Sequence, residues 1–189
     1  IAIADLNGNG QKDIAAINYG SSEVQILFNQ GNRSFGEEVY VSVGHEEVGS
    51  TSLQEIAVGD LDGDGDHDLA MISIASSKLY FMRNRGDGTF EKPVGWSAPR
   101  INSERGGVTS LALVDIDGDD DLDATVPLIF IGTASQFGVL RNGGEMDFSR
   151  RDTHPATNEG YAYSLGLGDF DGDGDLDPVV GCAVPGPLH

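Results

Sequence analysis

Only one cysteine, Cys182, and eleven lysines and arginines occur among 189 residues. A lone thiol excludes any disulfide within the chain. Its place in the apolar run Val179-Val180-Gly181-Cys182-Ala183-Val184 predicts a small core hydrophobe, not a reactive group. Set against 31 aspartates and glutamates, the few cations leave a formal charge of −20. That balance excludes nucleic acid as a partner, because phosphates need cationic neutralisation. No apolar run approaches the ~20 residues that cross a bilayer, so no membrane span is expected. No leader segment is visible either, and Ile1 already stands inside a strand pattern, so a mature piece or a fragment is expected. Helical periodicity of any length is absent. With four histidines and no Ser-His-Asp or Cys-His arrangement at recognisable spacing, the chain is expected to be no enzyme.

What the chain does hold is acid gathered in clusters, together with 27 glycines. Four nine-residue loops recur. The first runs Asp5-Leu6-Asn7-Gly8-Asn9-Gly10-Gln11-Lys12-Asp13 and the second Asp60-Leu61-Asp62-Gly63-Asp64-Gly65-Asp66-His67-Asp68. The third runs Asp115-Ile116-Asp117-Gly118-Asp119-Asp120-Asp121-Leu122-Asp123 and the fourth Asp169-Phe170-Asp171-Gly172-Asp173-Gly174-Asp175-Leu176-Asp177. Their first residues lie 55, 55 and 54 apart, a period that defines a repeat protein. The repeats fall at approximately 1–52, 53–107, 108–161 and 162–189, the last incomplete. A second landmark keeps step: Asn29 to Phe35, Asn84 to Phe90 and Asn142 to Phe148 each begin with an Asn/Gly-rich stretch that reads as a hairpin turn.

Before each loop, large and small residues alternate, as in Ile1-Ala2-Ile3-Ala4 and Leu165-Gly166-Leu167-Gly168. Period-two alternation is a strand with one bulky and one tight face. Further apolar runs follow each loop and precede each Asn turn. A fourth strand is expected at Val39 to Val43 and at Pro93 to Trp96, with a weaker case after Phe148. The expected fold is all-β: four-stranded antiparallel meanders of about 55 residues, the pattern of β-propeller blades. Three and a half such blades would be part of a larger, about seven-bladed propeller. The edge at Val179 to Val184 would be open to self-association.

Carboxylates ~4 Å apart repel by on the order of 4 kcal/mol per pair at intermediate dielectric, so loops this acidic need a counter-charge. Hard oxygens on a flexible loop suit calcium, which takes ~6 to 8 of them. Magnesium prefers more water, and zinc prefers His or Cys. In the second loop Asp60, Asp62, Asp64 and Asp68 can converge, leaving Asp66 to offer its backbone carbonyl. An EF-hand would require a glutamate at position twelve followed by a helix. Position twelve is instead Ala16, Met71, Val126 and Val180, all in strand patterns.

These residues resemble the FG-GAP or VCBS repeats of integrin-α-like β-propellers. The D-x-D-x-D-G-x-x-D loops, their flanking strands and the N-x-G…F turns carry the likeness across nearly the whole chain. The resemblance implies up to four calcium ions, one per loop, with side-chain ligands at positions one, three, five and nine. The ligand candidates are thus Asp5, Asn7, Asn9, Gln11 and Asp13; Asp60, Asp62, Asp64, Asp66 and Asp68; Asp115, Asp117, Asp119, Asp121 and Asp123; and Asp169, Asp171, Asp173, Asp175 and Asp177. Loop one departs from the pattern at Asn7 and Asn9, which lowers its charge, and loop three has Asp120 where glycine is usual.

The ions are expected to stiffen hairpins, not to touch a ligand. The chain as a whole is expected to be an extracellular module for adhesion, binding or scaffolding. A protein or glycan ligand would dock on the insertions 44–54, 97–107 and 152–163. A structural subunit of a surface layer or fibre is one alternative, and a non-catalytic propeller part of a carbohydrate- or lipid-active enzyme is another. Arg85-Gly86-Asp87 and the sequon Asn32-Arg33-Ser34 both fall in turns, where their composition is favoured by geometry alone.

Overall fold

The alternation Ile1-Ala2-Ile3-Ala4 becomes the first strand, Ala2–Ala4, of a four-stranded antiparallel sheet. In the computed structural model the described residues are 1–18, 21–44, 52–97, 100, 101, 104, 105, 107–129, 135–156, 160–172, 174 and 176–183. Asp173, Asp175, His45, His189 and the run from Val184 lie outside them, as do parts of the three insertions.

Blade one is completed by Asp13–Asn18, Glu23–Leu27 and Val39–Ser42, paired in that order. Blade two orders Leu53–Gly59, Asp68–Ser73, Lys78–Met82 and Val94–Ser97 in the same way. In blade three the first strand is split into Gly107–Val108 and Ala112–Val114. Both pieces pair with Asp123–Ile129, which pairs with Gln136–Arg141 and then Arg150–Pro155. Blade four pairs Tyr161–Gly168 with Asp177–Ala183. The described residues include no helix.

All four registers agree at one point. The residue before position one pairs with the aspartate at position nine: Ala4 with Asp13, Gly59 with Asp68, Val114 with Asp123 and Gly168 with Asp177. Each acidic loop is therefore the connection of a blade's first hairpin, and position twelve lies in the second strand each time.

The core sits between blades. Small residues of blade one, Ala2, Ala4 and Ala15, meet Leu53, Ile56, Leu69, Met71 and Met82 of blade two. Ala70, Ile72, Leu79 and Phe81 of blade two meet Val126, Leu128, Leu140 and Phe148 of blade three. Side chains alternate between faces, so neighbouring residues of one strand serve opposite interfaces. At Gly59 a Cβ would stand 2.5 Å from a Leu122 methyl of blade three, which is why the tight face tolerates nothing larger there. Position two inserts into the following blade: Leu6 and Leu61 are buried, whereas Phe170 is 67% exposed.

Two expectations need correction. Arg150–Pro155 forms a full six-residue strand, although the segment after Phe148 gave the weakest strand signal. All six residues are exposed, so no apolar alternation marks it. Cys182 is exposed, not core. It lies in the two-stranded sheet of blade four, where most of Asp177–Ala183 is uncovered.

Candidate metal centre

Position nine is the anchor of each loop. Asp13, Asp68 and Asp123 are fully buried, and a buried carboxylate must have both oxygens satisfied. Oδ2 accepts the position-two N–H: from Leu6 at 2.8 Å, Leu61 at 2.9 Å, Ile116 at 3.2 Å and, to Asp177, Phe170 at 3.0 Å. Oδ1 accepts the N–H of Asn29, Asn84 or Asn142 at 2.7 Å. Asp13, Asp68 and Asp123 therefore tie their loops to the chain just past the third strand.

Position one organises the turn. The Asp60 oxygens accept the N–H groups of Gly63 at 2.8 Å and Gly65 at 3.0 Å. Asp5, Asp115 and Asp169 repeat the pattern, with Gly10, Asp120 and Gly174 donating from position six. Bringing that N–H inward needs a left-handed residue at position six. Its φ is 80° at Gly10, 91° at Gly65, 98° at Gly174 and 71° at Asp120. Asp120 thus adopts the glycine conformation that loop three lacks a glycine to provide.

Positions one, three and nine come together. One carboxylate oxygen from each of Asp60, Asp62 and Asp68 lies within 4.8 Å of the others, and the same holds for Asp115, Asp117, Asp123 and for Asp169, Asp171, Asp177. Calcium–oxygen bonds of ~2.3 to 2.6 Å place two ligands of one ion up to about 5 Å apart. The spacing and the all-oxygen donor set therefore fit a calcium ion. Loop one brings Asp5, Asn7 and Asp13 to the same positions with two carboxylates instead of three.

Position five stands apart from these triads. Asp64 and Asp119 are exposed and accept the N–H of position seven, Asp66 at 2.9 Å and Asp121 at 3.1 Å. Asn9 does the same for Gln11 at 2.7 Å while donating its amide to the Asn29 carbonyl. The Asp66, Asp121 and Gln11 side chains join no triad.

Burial and backbone donors act oppositely on some of these carboxylates. Burial pushes Asp68 up to about 6, overcoming the two backbone bonds it accepts, and the neighbouring Asp62 and Asp64 add to the effect. Burial raises Asp123 and Asp62 as well. At position one burial also works upward, but backbone N–H donors outweigh it and hold Asp5 and Asp115 below the usual carboxylate range.

Sequence reasoning missed two partners of the loops. Arg83 donates from Nε to Asp62 at 2.7 Å, and Arg141 from Nη1 to Asp117 at 2.5 Å. Asn84 and Asn142, read only as turn formers, are buried and reach back one blade. Their side-chain amides donate to the carbonyls of Leu6 at 3.0 Å and Leu61 at 2.7 Å. The available signal was position: each pair is an Arg-Asn dipeptide opening the Asn turn. In Arg85-Gly86-Asp87, Arg85 pairs with Glu91 and Asp87 accepts both the N–H and the hydroxyl of Thr89, so these side chains serve the turn itself.

Comparison with known proteins agrees with this geometry. A chain of the Tc holotoxin pore of Photorhabdus luminescens superposes with a TM-score of 0.54 at 23% identity, over 94% of this chain. The alignment spans 8% of the toxin chain, and the likeness is one of fold. No curated protein matches the sequence. The profile of the FG-GAP-like repeat matches twice, over residues 5–71 and 60–126. Each match runs from one acidic loop through the next and into the strand behind it, and together they cover well over half of the sequence: the chain belongs to the FG-GAP-like repeat family.

Proposed function

We propose that this chain is a calcium-stabilised propeller module that works outside the cell, presenting the connections between its blades to a protein or glycan partner. The observation that carries the reading is the same three-carboxylate constellation in three successive loops, each within 4.8 Å. Four ions, +8 in all, would bring the formal charge from −20 to about −12, which relieves self-repulsion while keeping the surface soluble. Exposed loops of this kind hold calcium at about 10⁻⁴ to 10⁻³ M, a range suited to extracellular concentrations. Among the described residues no helix is long and apolar enough to cross a membrane.

In this reading the module is non-catalytic, and the ions stiffen hairpins so that the loops keep their shape. The toxin chain that shares the fold is some twelve times longer, the alignment taking up 8% of it. That proportion favours a second reading in which such blades act as a structural part of a larger assembly. Melting the protein in calcium and in chelator tests the metal, and a glycan array screened in calcium tests the partner. Equal melting temperatures in the two buffers would overturn the calcium reading. An array without hits would favour the structural reading.

A further inference from the structure

Loops two and three each carry a guanidinium at the point where an ion would draw on position three. Asp62 is 3% exposed at its side chain and has both oxygens engaged: Oδ2 by Arg83 Nε at 2.7 Å, and Oδ1 by the Asp64 N–H at 3.2 Å. Arg83 is held from its other side, donating Nη2 to the Glu145 carbonyl of blade three at 3.2 Å. Arg141 is fixed in the same manner, with Nη1 on Asp117 at 2.5 Å and Nε on Asp152 at 2.9 Å. Both hydrogen bonds hold the Arg141 proton above its ordinary range.

The two pairs occupy the same register in blades two and three. Each arginine stands one residue before the asparagine whose N–H binds position nine, directly after the third strand or at its last residue. The same place in blade one is Phe28, packed in the core between blades, and position three of that loop is the neutral Asn7. In loops two and three, where position three is a carboxylate, the arginine is there; in loop one, where it is an amide, the arginine is gone.

We propose that Arg83 and Arg141 are resident counter-ions of loops two and three, neutralising position three when no metal is bound and competing with the metal when one is. The inference rests on the calcium reading above for its second half and stands on geometry alone for its first. Leaving the buried Asp62 side chain without a partner is costly, and the more exposed Asp117 gains less from its pairing; in both loops the arginine offsets a carboxylate that no metal then neutralises. A cation entering the triad must share or displace that hydrogen bond and tolerate a like charge beside it. The arginine therefore lowers calcium affinity while lessening the loop's dependence on calcium.

The test is the double variant Arg83→Gln/Arg141→Gln of the whole chain, with Arg83→Lys as a milder companion that keeps charge without the planar fork. In chelator the double variant is expected to melt lower by about 2–4 °C. Calorimetric titration with calcium chloride is expected to show two of the sites tightening by roughly tenfold, the effect of removing a nearby positive charge. The melting deficit should shrink at saturating calcium, and Arg83→Lys should fall between wild type and the double variant. An unchanged melting temperature in chelator would overturn the counter-ion role. Weaker calcium binding in the double variant would overturn the competition, since the arginines would then be positioning ligands. Wild-type protein that takes up no calcium would sink the calcium reading and the competition together, with the chelator melt still deciding whether the arginines hold the loops.

Discussion

The side-chain amide of Asn84 donates to the backbone carbonyl of Leu6, 3.0 Å away and 78 residues earlier. The same amide reaches the His67 carbonyl at 3.0 Å, and the Asn84 backbone N–H binds Asp68. One side chain thus joins the acidic loop of its own blade to the acidic loop of the blade before. Asn142 repeats the link, to Leu61 and Leu122. Asn29 makes only the local half of it, donating to the Lys12 carbonyl at 3.1 Å through a bond exposed to solvent.

This difference sets the first prediction. Asn84→Ala leaves the Leu6 and His67 carbonyls without their donor in a buried interface, at about 1–3 kcal/mol each. Asn29→Ala removes two local bonds, to the Lys12 carbonyl and from the Gly31 N–H, but no link between blades, and should cost less, about 1 kcal/mol. Urea denaturation of both variants should rank them in that order; equal losses would mean that the link between blades carries no stability.

Calcium should stabilise the chain, and loops two to four should bind before loop one, which has two carboxylates in place of three among positions one, three and nine. Asp62→Ala is therefore expected to reduce the gain in melting temperature from added calcium more than Asn7→Ala does. It removes a triad ligand and also strips Arg83 of its partner. Melts of both variants, in calcium and in chelator, check the order. A larger loss of the calcium effect in Asn7→Ala would reverse the ranking of the sites.

Loop three offers a gain. Asp120 holds φ at 71° and its side chain is exposed. An L-residue in the left-handed region costs roughly 1–2 kcal/mol, which glycine escapes while giving back about 0.5–1 through chain entropy. Asp120→Gly should accordingly stabilise the metal-free protein by about 0.5–1 kcal/mol. Its midpoint in urea is the measurement, and any destabilisation would show that the aspartate has a favourable contact outweighing its strain.

The fold was legible wherever the sequence repeats itself. Fixed spacing located the four loops, and large-small alternation located the strands that flank them, because those strands have one face against each neighbouring blade. Arg150–Pro155 escaped because an outer strand with every residue exposed carries no pattern of burial. Cys182 lies in an apolar run that signals core, yet the second strand of blade four is largely uncovered. At the candidate centre, positions one, three and nine stand out as acid in every loop except at Asn7. What no spacing reveals is that Asp13, Asp68 and Asp123 are buried with both oxygens committed to backbone donors. Nor does spacing show that Arg83 and Arg141 face position three, since those contacts join residues 21 and 24 apart and form only once the second and third strands are paired in register.

The aromatic landmark of the repeat gives the last prediction. Phe148 is buried in the core between blades two and three, stacked on Phe81 with ring centroids 4.1 Å apart and planes 14° from parallel. Phe35 occupies the same place in its own turn, yet is 43% exposed. Identical motif residues should therefore have unequal energies, because the turn of one blade packs on the blade before it. Phe148→Ala removes a full aromatic side chain from a packed interface and should cost about 3–5 kcal/mol, including the stacking term of about 0.5–1.5 kcal/mol. Phe81→Ala should cost a similar amount, and the double variant less than the sum, since the two rings share one contact. Phe35→Ala should cost under about 1 kcal/mol, as expected of a residue that keeps nearly half its surface in water. Chemical denaturation of the four variants reads all of these. Losses of equal size at Phe35 and Phe148 would mean that the aromatic residue serves the hairpin turn alone, and that the packing of one repeat on the next does not depend on it.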